Sequence, residues 1–225
     1  MLIDLIAEAD QFILIHKPVK LTTHGGADSL TQSVRAQFND TQLYPCHRLD
    51  ASTSGLVIFA KGKSANSKIS QLFEQKMISK IYLAIGTAKP KKKQGLIKGD
   101  MKPARNGCWM LARTSANPAI TQFSSTSLGE GRRLYILKPH TGKTHQLRVM
   151  MRSISAPILG DDRYGGEPAD RCYLHAYSLA FTLDGHNYEF EQQPQEGEFF
   201  TRSDISAKIR KLSASTELNW PNIKT

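Results

Sequence analysis

Three things are scarce in this chain of 225 residues: cysteine, long apolar runs and acidic side chains. The three cysteines, Cys46, Cys108 and Cys172, are odd in number and far apart, and no CxxC pair exists. They support neither a disulfide framework nor a zinc ribbon, and they indicate a reducing, cytoplasmic compartment. No apolar run approaches the roughly 20 residues of a membrane-spanning helix. The N-terminus lacks the basic region of a signal peptide, so we expect no membrane association.

The shortage of acidic residues leaves the chain strongly basic. It has 30 Lys and Arg against 20 Asp and Glu, a formal net charge of +10. Such a balance favours polyanionic partners, with nucleic acid first and an anionic membrane second. Residues 89–105 are the most basic stretch, which predicts either an exposed hairpin or a mobile loop. This segment could be a solvated surface or could contact an RNA backbone.

The hydrophobic pattern predicts more strands than helices, in no regular alternation. Short apolar, β-branched runs predict strands over residues 11–16, 56–60, 81–85, 121–126, 133–137, 173–181 and 188–190. Apolar residues at helical spacing predict helices over residues 30–38, 65–75, 144–153 and 204–212, the second with Ser64 as its N-cap. This order favours an α+β protein over a doubly wound sheet.

Three segments supply complementary chemical groups. Residues 47–50 (His-Arg-Leu-Asp) put the carboxylate of Asp50 beside an arginine, at the start of a small-residue turn that leads into an apolar strand. Residues 80–84 place the hydroxyl of Tyr82 on a strand, and residues 139–148 lead through polar and small residues into a helix with Arg148. An aspartate can act as nucleophile, acid or base when a cation holds it ionised. The structural alternatives are a turn cap, a core tyrosine and a surface arginine.

Together these groups suit work on a flat base that has been flipped out of its stack. The ring of Tyr82 can stack on the base, Arg148 can hold Asp50 ionised, and the helix start can meet phosphate. Other chemistries fit less well. No carboxylate or cysteine accompanies the histidines at metal-ligand spacing, and the first glycine of a phosphate loop is replaced by Leu137. A glycosidase would need two catalytic carboxylates, and only one is well placed.

At these residues the sequence resembles the RluA-type pseudouridine synthases. Residues 47–56 resemble the catalytic-aspartate motif of that family, residues 80–84 its tyrosine motif, and residues 141–148 its arginine motif. Further landmarks resemble the family in the same order: Lys17-Pro18, Pro157-Ile158, Gly160-Asp161, Tyr164-Gly165 and Leu174-His175-Ala176. The chain departs from the family pattern at Lys143, at Met150 and at Val19-Lys20. These departures leave the reaction class intact and bear on substrate contacts.

The resemblance implies a pseudouridine synthase fold, with a mixed, mostly antiparallel sheet flanked by helices and loops around a central catalytic cleft. It implies one catalytic domain over residues 1–225, without a separate N-terminal RNA-binding module. The expected function is isomerisation of a specific uridine in structured RNA, at a stem-loop or single-stranded region of ribosomal RNA or tRNA, with ribosomal RNA slightly favoured. No metal or other cofactor is expected, and a monomer is the default state.

The resemblance also assigns roles to individual residues. Asp50 is expected to be the catalytic carboxylate, with Tyr82 and Arg148 as catalytic partners. Leu147 is expected to pack beneath the base, and Arg48 to fill the gap left by the flipped uridine or to contact phosphate. The remaining expected substrate-binding residues are His47, Lys143, Thr144 and Gln146. The alternative hypothesis is a non-catalytic RNA-binding or RNA-folding protein built on the same fold.

Overall fold

The computed structural model describes residues 2–26, 28–87, 90, 92–213 and 220–221. The chain divides into two compact units. The first comprises Met1–Ser79 with His175–Gln192, and the second comprises Lys80–Leu174 with Gln193–Thr225. The expectation of one catalytic domain stays a prediction. In the described ranges, no helix has the length and apolar character needed to cross a membrane.

Strands predominate in both units. The strands are β1 (Asp4–Glu8), β2 (Phe12–Lys17), β3 (Leu43–Pro45), β4 (Ser54–Lys61), β5 (Ser79–Gly86), β6 (Gln94–Gly99), β7 (Met101–Pro103), β8 (Trp109–Leu111), β9 (Ala119–Gly129), β10 (Arg132–Pro139), β11 (Leu174–Leu183) and β12 (His186–Glu191). The helices are α1 (Leu30–Phe38), α2 (Lys63–Glu74), α3 (Gln146–Ser153), α4 (Glu198–Thr201) and α5 (Ser203–Ser213).

The first unit is a sheet in the order β1-β2-β4-β11, with β3 also paired to β4 and β12 to β11. Its pairings are antiparallel except for β4 with β11, which is parallel. Every residue of β2 is buried, as its continuous apolar run suggests. Phe12 packs edge-on against Phe181 and Tyr188, with ring centroids 5.6 and 5.1 Å away. This core supports the turn that precedes β4.

The second unit is an antiparallel sheet in the order β5-β10-β9-β6, with β7 and β8 forming a separate two-stranded ribbon. Helix α3 buries all of its residues from Gln146 to Met151. It begins at Gln146, two residues later than the sequence pattern predicts, because His145 adopts a left-handed φ of 56°. Such a φ lies outside the helical region, so the chain enters the helix only after His145.

The α+β prediction is confirmed, and each predicted helix and strand is present. The N-cap prediction for Ser64 is wrong: α2 begins at Lys63 after Gly62, whose φ of 88° turns the chain out of β4. The sequence pattern did not predict β1, β3, β8 and α4, which have five residues or fewer. Elements this short show too few repeats of a hydrophobic period. In the basic segment 89–105, Gln94–Gly99 and Met101–Pro103 form strands, while Lys89 and Lys91 lie outside the described residues.

Candidate active site

Asp50 lies in the first unit, in the tight turn that leads into β4. Its carbonyl accepts a hydrogen bond from the Thr53 amide at 3.0 Å, and the residue is half-buried. The preceding Leu49 is 5% exposed and anchors the turn in the apolar interior. The backbone of this turn therefore fixes the position from which the Asp50 side chain extends.

The backbone around Asp50 is held by a neighbouring segment of the same unit. The hydroxyl of the buried Thr23 donates to the Leu49 carbonyl at 3.0 Å and accepts from the Leu49 amide at 3.1 Å. The Lys20 amide donates to the Ala51 carbonyl at 2.7 Å. The residues on either side of Asp50 are therefore both tied to residues 20–23. Sequence patterns did not single out Thr23, because it is distant along the chain and belongs to a loop.

Strand β4 is fixed immediately after the turn by a buried serine–histidine pair. Ser54 and His175 are both 0% exposed, and the Ser54 hydroxyl lies 2.8 Å from His175 Nδ1. His175 Nε2 lies 2.8 Å from the carbonyl of Gln192, which can only accept. Nε2 therefore carries a proton and donates it to that carbonyl. His175 is a structural histidine, as the sequence pattern favours for this residue.

His47 and Arg48 differ in their surroundings. His47 Nε2 accepts the Ile58 amide at 3.1 Å, and the ring stacks on Phe73 with centroids 4.4 Å apart. These contacts are made inside the unit, so the expected contact of His47 with substrate stays a prediction. Arg48 is exposed, as a residue that meets RNA must be. Burial, and then the nearby charge of Arg48, lower the pKa of His24.

Tyr82 lies in the second unit, on β5, where it is half-buried and paired with Leu137 of β10. The predicted placement of this tyrosine on a strand is confirmed. Lys80, two residues earlier, faces the same side of the strand because side chains alternate. Burial lowers the pKa of Lys80, and its Nζ lies 3.9 Å from the position that a Cβ on Gly142 would occupy. Lys80 thus lies beside the loop of the arginine motif.

The side chain of Gln146 organises that loop from within. Its Oε1 accepts from the Thr141 hydroxyl at 2.7 Å and from the Lys143 amide at 3.1 Å. Its Nε2 donates to the Thr121 hydroxyl at 3.0 Å. Lys143 Nζ donates to the carbonyl of Asn117. Both side chains hold the loop to its own unit, and their expected contacts with substrate stay predictions.

Arg148 forms a buried, two-pronged ion pair with Asp161. Its Nε and Nη2 donate to the two carboxylate oxygens at 2.8 and 2.6 Å, and the two side chains are 6% and 0% exposed. Asp161 Oδ1 also accepts the amides of Arg163 and Tyr164 at 3.2 Å. Fork-to-fork geometry of this kind fixes the plane of a guanidinium. The surface alternative for Arg148 is therefore excluded.

Asp161 has a role that the sequence pattern did not reveal, although the Gly160-Asp161 pair is one of the family landmarks. Gly160 has a φ of +73°, and a Cβ there would lie 1.8 Å from the carbonyl oxygen of Arg171. Only glycine fits such a position. The sequence signal for this position was a glycine followed by an acidic residue. Only the tertiary structure shows that Asp161 pairs with Arg148.

Tyr164 connects the arginine motif to other parts of the second unit. The centroid of its ring lies 5.1 Å from the guanidinium carbon of Arg148. Its hydroxyl lies 2.8 Å from His145 Nδ1. The same hydroxyl accepts the Trp109 amide of β8 at 3.0 Å. Burial raises the pKa of Tyr164 above its ordinary value.

The candidate residues are divided between the two units. His47, Arg48 and Asp50 belong to the first, whereas Tyr82 and the arginine-motif residues Lys143, Thr144, Gln146, Leu147 and Arg148 belong to the second. Thr144 is exposed, and Leu147 is 7% exposed on α3. Among the residues that the structure describes, no group of three or more His, Cys, Asp or Glu side chains could hold a metal ion.

Known proteins resemble this chain in sequence and in fold. Residues 11–153 match the model of the RNA pseudouridylate synthase family. An uncharacterized RNA pseudouridine synthase of Haemophilus influenzae is 44% identical over 214 residues, which is 93% of this chain and 96% of that protein. The dual-specificity RNA pseudouridine synthase RluA of Vibrio cholerae is 34% identical, over 80% of this chain and 77% of that protein.

The fold comparison agrees with the sequence comparison. Human RNA pseudouridylate synthase domain containing 1 superposes with a TM-score of 0.75 at 22% identity, covering 98% of this chain and 97% of that one. The chain belongs to the RNA pseudouridylate synthase family, among its RluA-type members. It is an RNA-uridine isomerase, so the enzymatic hypothesis is confirmed over the purely RNA-binding one.

Proposed function

We propose that this enzyme isomerises a specific uridine of ribosomal RNA, with Asp50 as the catalytic carboxylate. The observation that supports this role is the backbone clamp around Asp50. Thr23 binds both backbone polar groups of Leu49, and Lys20 binds the carbonyl of Ala51. Catalytic groups need this kind of fixed placement, because small displacements from the reacting atom reduce the rate steeply.

The proposed reaction breaks the bond between uracil N1 and ribose C1′ and forms a bond between uracil C5 and C1′. The proton on C5 is lost, and N1 gains one, so the net composition does not change. As a carboxylate, Asp50 acts on the ribose, either by attacking C1′ or by removing a proton from C2′. Both routes need the ionised form, and burial alone would oppose ionisation. We propose Arg148 as the cation that offsets this cost.

The other proposed roles follow the resemblance. Tyr82 stacks on the uracil and can take the C5 proton in the last step. Leu147 packs beneath the base, and Arg48 fills the gap left by the flipped uridine or contacts phosphate. Extracting the base costs roughly a few kcal/mol, and less where it is already unpaired. A stem-loop or single-stranded region is therefore the proposed target.

Ribosomal RNA is proposed as the substrate because of the names of several relatives. A protein of Rickettsia bellii that is named ribosomal large subunit pseudouridine synthase C is 31% identical over 88% of this chain and 70% of that protein. The net charge of +10 favours a large polyanion. We also propose that the enzyme acts in the cytoplasm and that it is a monomer.

The test is pseudouridine mapping of total RNA by carbodiimide treatment and reverse-transcription stops. It compares cells with the wild-type gene, a deletion and Asp50→Asn. We expect one site, in large-subunit ribosomal RNA, to disappear in the deletion and in Asp50→Asn. Asp10→Asn, which neutralises an exposed carboxylate of the same unit, should keep the site.

Two results would contradict parts of the proposal. A site that disappears from tRNA alone would reject ribosomal RNA as the substrate. A site that persists in Asp50→Asn but not in the deletion would reject Asp50 as the catalytic residue.

A further inference from the structure

Trp220 and Pro221, which we call the docked pair, pack on the sheet of the second unit. The Nζ of Lys138 lies 5.7 Å from the centroid of the Trp220 ring. The Pro221 carbonyl accepts a hydrogen bond from Gln122 Nε2 at 2.6 Å. Lys138 and Gln122 are register partners in β10 and β9, so their side chains lie on the same face of the sheet. Two consecutive residues therefore contact two directly opposed residues.

The buried side chain of Gln122 links the docked pair to the rest of the unit. It is 5% exposed. The Pro221 carbonyl can only accept a hydrogen bond, so the nitrogen of the Gln122 amide must point to it. The amide oxygen, Oε1, lies 2.6 Å from His140 Nε2, which therefore donates to it. The docked pair thus fixes the orientation of the amide, and the amide fixes the imidazole.

His140 comes directly before the loop of the arginine motif. Its backbone amide donates to the Ile120 carbonyl at 2.9 Å. The hydroxyl of Thr141, the next residue, accepts the Ile120 amide at 2.9 Å and donates to Gln146 Oε1 at 2.7 Å. Gln146 Nε2 donates to the Ile120 carbonyl at 3.2 Å. Strand β9 therefore holds both ends of the loop, and Gln122 adds a further contact at the first of them.

The start of α3 depends on where this loop ends. Gln146 is the first residue of α3, and Arg148 follows two residues later. Asp161 orients the Arg148 guanidinium, while the first turn of the helix carries the Arg148 backbone. A shift of the loop would therefore move the helix start and Arg148 with it. A displacement of about 1 Å can lower an enzymatic rate by about a hundredfold.

We propose that the docked pair and Gln122 position the arginine motif for catalysis. This inference rests on the proposed function, because it assumes that Arg148 acts in the reaction. Gln122 is a positioning residue in this scheme, since it acts through His140 and the loop rather than on the RNA. The Trp220 ring is the anchor of the docked pair, because a cation such as Lys138 is attracted to the face of an indole.

The first test measures single-turnover conversion, with total RNA from a deletion strain as the substrate. At the site that mapping identifies, the rate is followed against enzyme concentration, which separates the maximal rate from the half-saturating concentration. Gln122→Met removes both hydrogen bonds of the amide, and Trp220→Ala removes the anchor. Trp220→Phe keeps an aromatic ring on Lys138. Gln195→Met is the control for Gln122→Met, because Gln195 is an exposed glutamine of the same unit.

We expect Gln122→Met and Trp220→Ala each to lower the maximal rate about tenfold and to leave the half-saturating concentration within about twofold. Trp220→Phe should keep most of the rate, and Gln195→Met all of it. The double variant should be no slower than the slower single variant, because both changes disrupt one path.

Three results would overturn the proposal. The first is a wild-type maximal rate in Gln122→Met, and the second is a change confined to the half-saturating concentration, which would indicate a substrate contact. The third is a pair of rate losses that multiply in the double variant, because Gln122 and Trp220 would then act separately.

Tryptophan fluorescence measures the docking itself and separates it from a loss of folding. The chain has two tryptophans, and in a Trp109→Phe background Trp220 is the only one. Gln122→Met should make Trp220 more accessible to acrylamide quenching while the far-UV circular dichroism stays unchanged. Unchanged quenching would reject Gln122 as the residue that holds the docked pair. If Gln122→Met unfolds, Trp220→Ala, at a half-buried residue, carries the kinetic test by itself.

Failure of the proposed function would give other results. Pseudouridine that still forms in Asp50→Asn would reject Asp50 as the catalytic carboxylate, and a mapped site outside ribosomal RNA would reject that substrate. Neither result changes the Gln122 comparison, which is made at whichever site mapping finds.

Discussion

At the scale of single residues, the pairing of Arg148 with Asp161 is the most consequential contact. Both side chains are buried, and the carboxylate also accepts two backbone amides of its own turn. Two charges removed from water are tolerated only when they satisfy each other. Asp161 therefore sets the position of the arginine that the family resemblance identifies as catalytic.

The first prediction concerns this pair. Asp161→Asn keeps the shape of the side chain but removes the buried carboxylate that accepts both hydrogen bonds of the Arg148 guanidinium. We expect the free energy of unfolding to fall by about 3 to 5 kcal/mol, measured by urea denaturation. Pseudouridine formation should fall with it, because the guanidinium loses the carboxylate that orients it.

The matched control is Asp162→Asn, one residue along and exposed. It should unfold close to the wild-type urea concentration. Equal free energies of unfolding for the Asp161 and Asp162 variants would show that the buried ion pair contributes nothing to stability.

At the scale of secondary structure, the parallel pairing of β4 with β11 positions the Asp50 turn. Ser54 pairs with His175 and Gly55 with Ala176, and the Ser54–His175 hydrogen bond reinforces the register. Gly55 has a φ of +119°, and a Cβ there would lie 2.2 Å from the carbonyl oxygen of Ala176. The glycine lets the two backbones approach at the start of the strand.

The second prediction tests this close approach. Gly55→Ala should destabilise the protein by more than about 2 kcal/mol, because the strand must shift and the new residue is strained. Gly185→Ala is the control: its φ of +82° imposes strain, but nothing lies within 4 Å of its Cβ position. It should cost about 1 to 2 kcal/mol. Thermal unfolding that ranks the two variants in the opposite order would contradict the importance of the β4–β11 contact.

At the scale of the whole molecule, buried ionisable groups make the fold sensitive to alkali. Burial raises the pKa of the Cys46 thiol from 9.0 to about 12 and that of the Tyr135 phenol from 10.0 to about 12. Both groups are neutral in the folded protein at neutral pH. When the pKa of a group is higher in the folded protein than in the unfolded chain, its contribution to stability is fully present below the unfolded-state pKa. That contribution is lost as the pH rises through the folded-state pKa.

The third prediction is a fall in stability between pH 9 and 12. In this window the unfolded chain releases the Cys46 proton, while the folded chain keeps it. The free energy of unfolding should therefore decrease by up to about 1.4 kcal/mol per pH unit for this group. Urea titrations at several pH values measure the slope. Cys46→Ala should flatten it, and a variant with the wild-type slope would refute the assignment to Cys46.

The sequence by itself determined the fold class, most elements and the reaction class. Hydrophobic periods of two and 3.6 residues are local, so α1 was predicted at its observed bounds and β2 within one residue at each end. The motifs around Asp50, Tyr82 and Arg148 are also local, because each lies within a few consecutive residues. The order of amino acids alone is therefore enough to indicate the family.

Only the tertiary structure decided which distant residues support those motifs. Thr23 binds Leu49 across 26 residues, and His175 binds Ser54 across 121. The Arg148–Asp161 pair and the hydrogen bond from the Trp109 amide to the Tyr164 hydroxyl likewise depend on how the chain folds back. Hydrogen bonds act over about 3 Å of space, whereas sequence patterns register only neighbours along the chain. Contacts between distant segments therefore leave no periodic trace, and folding alone brings them together.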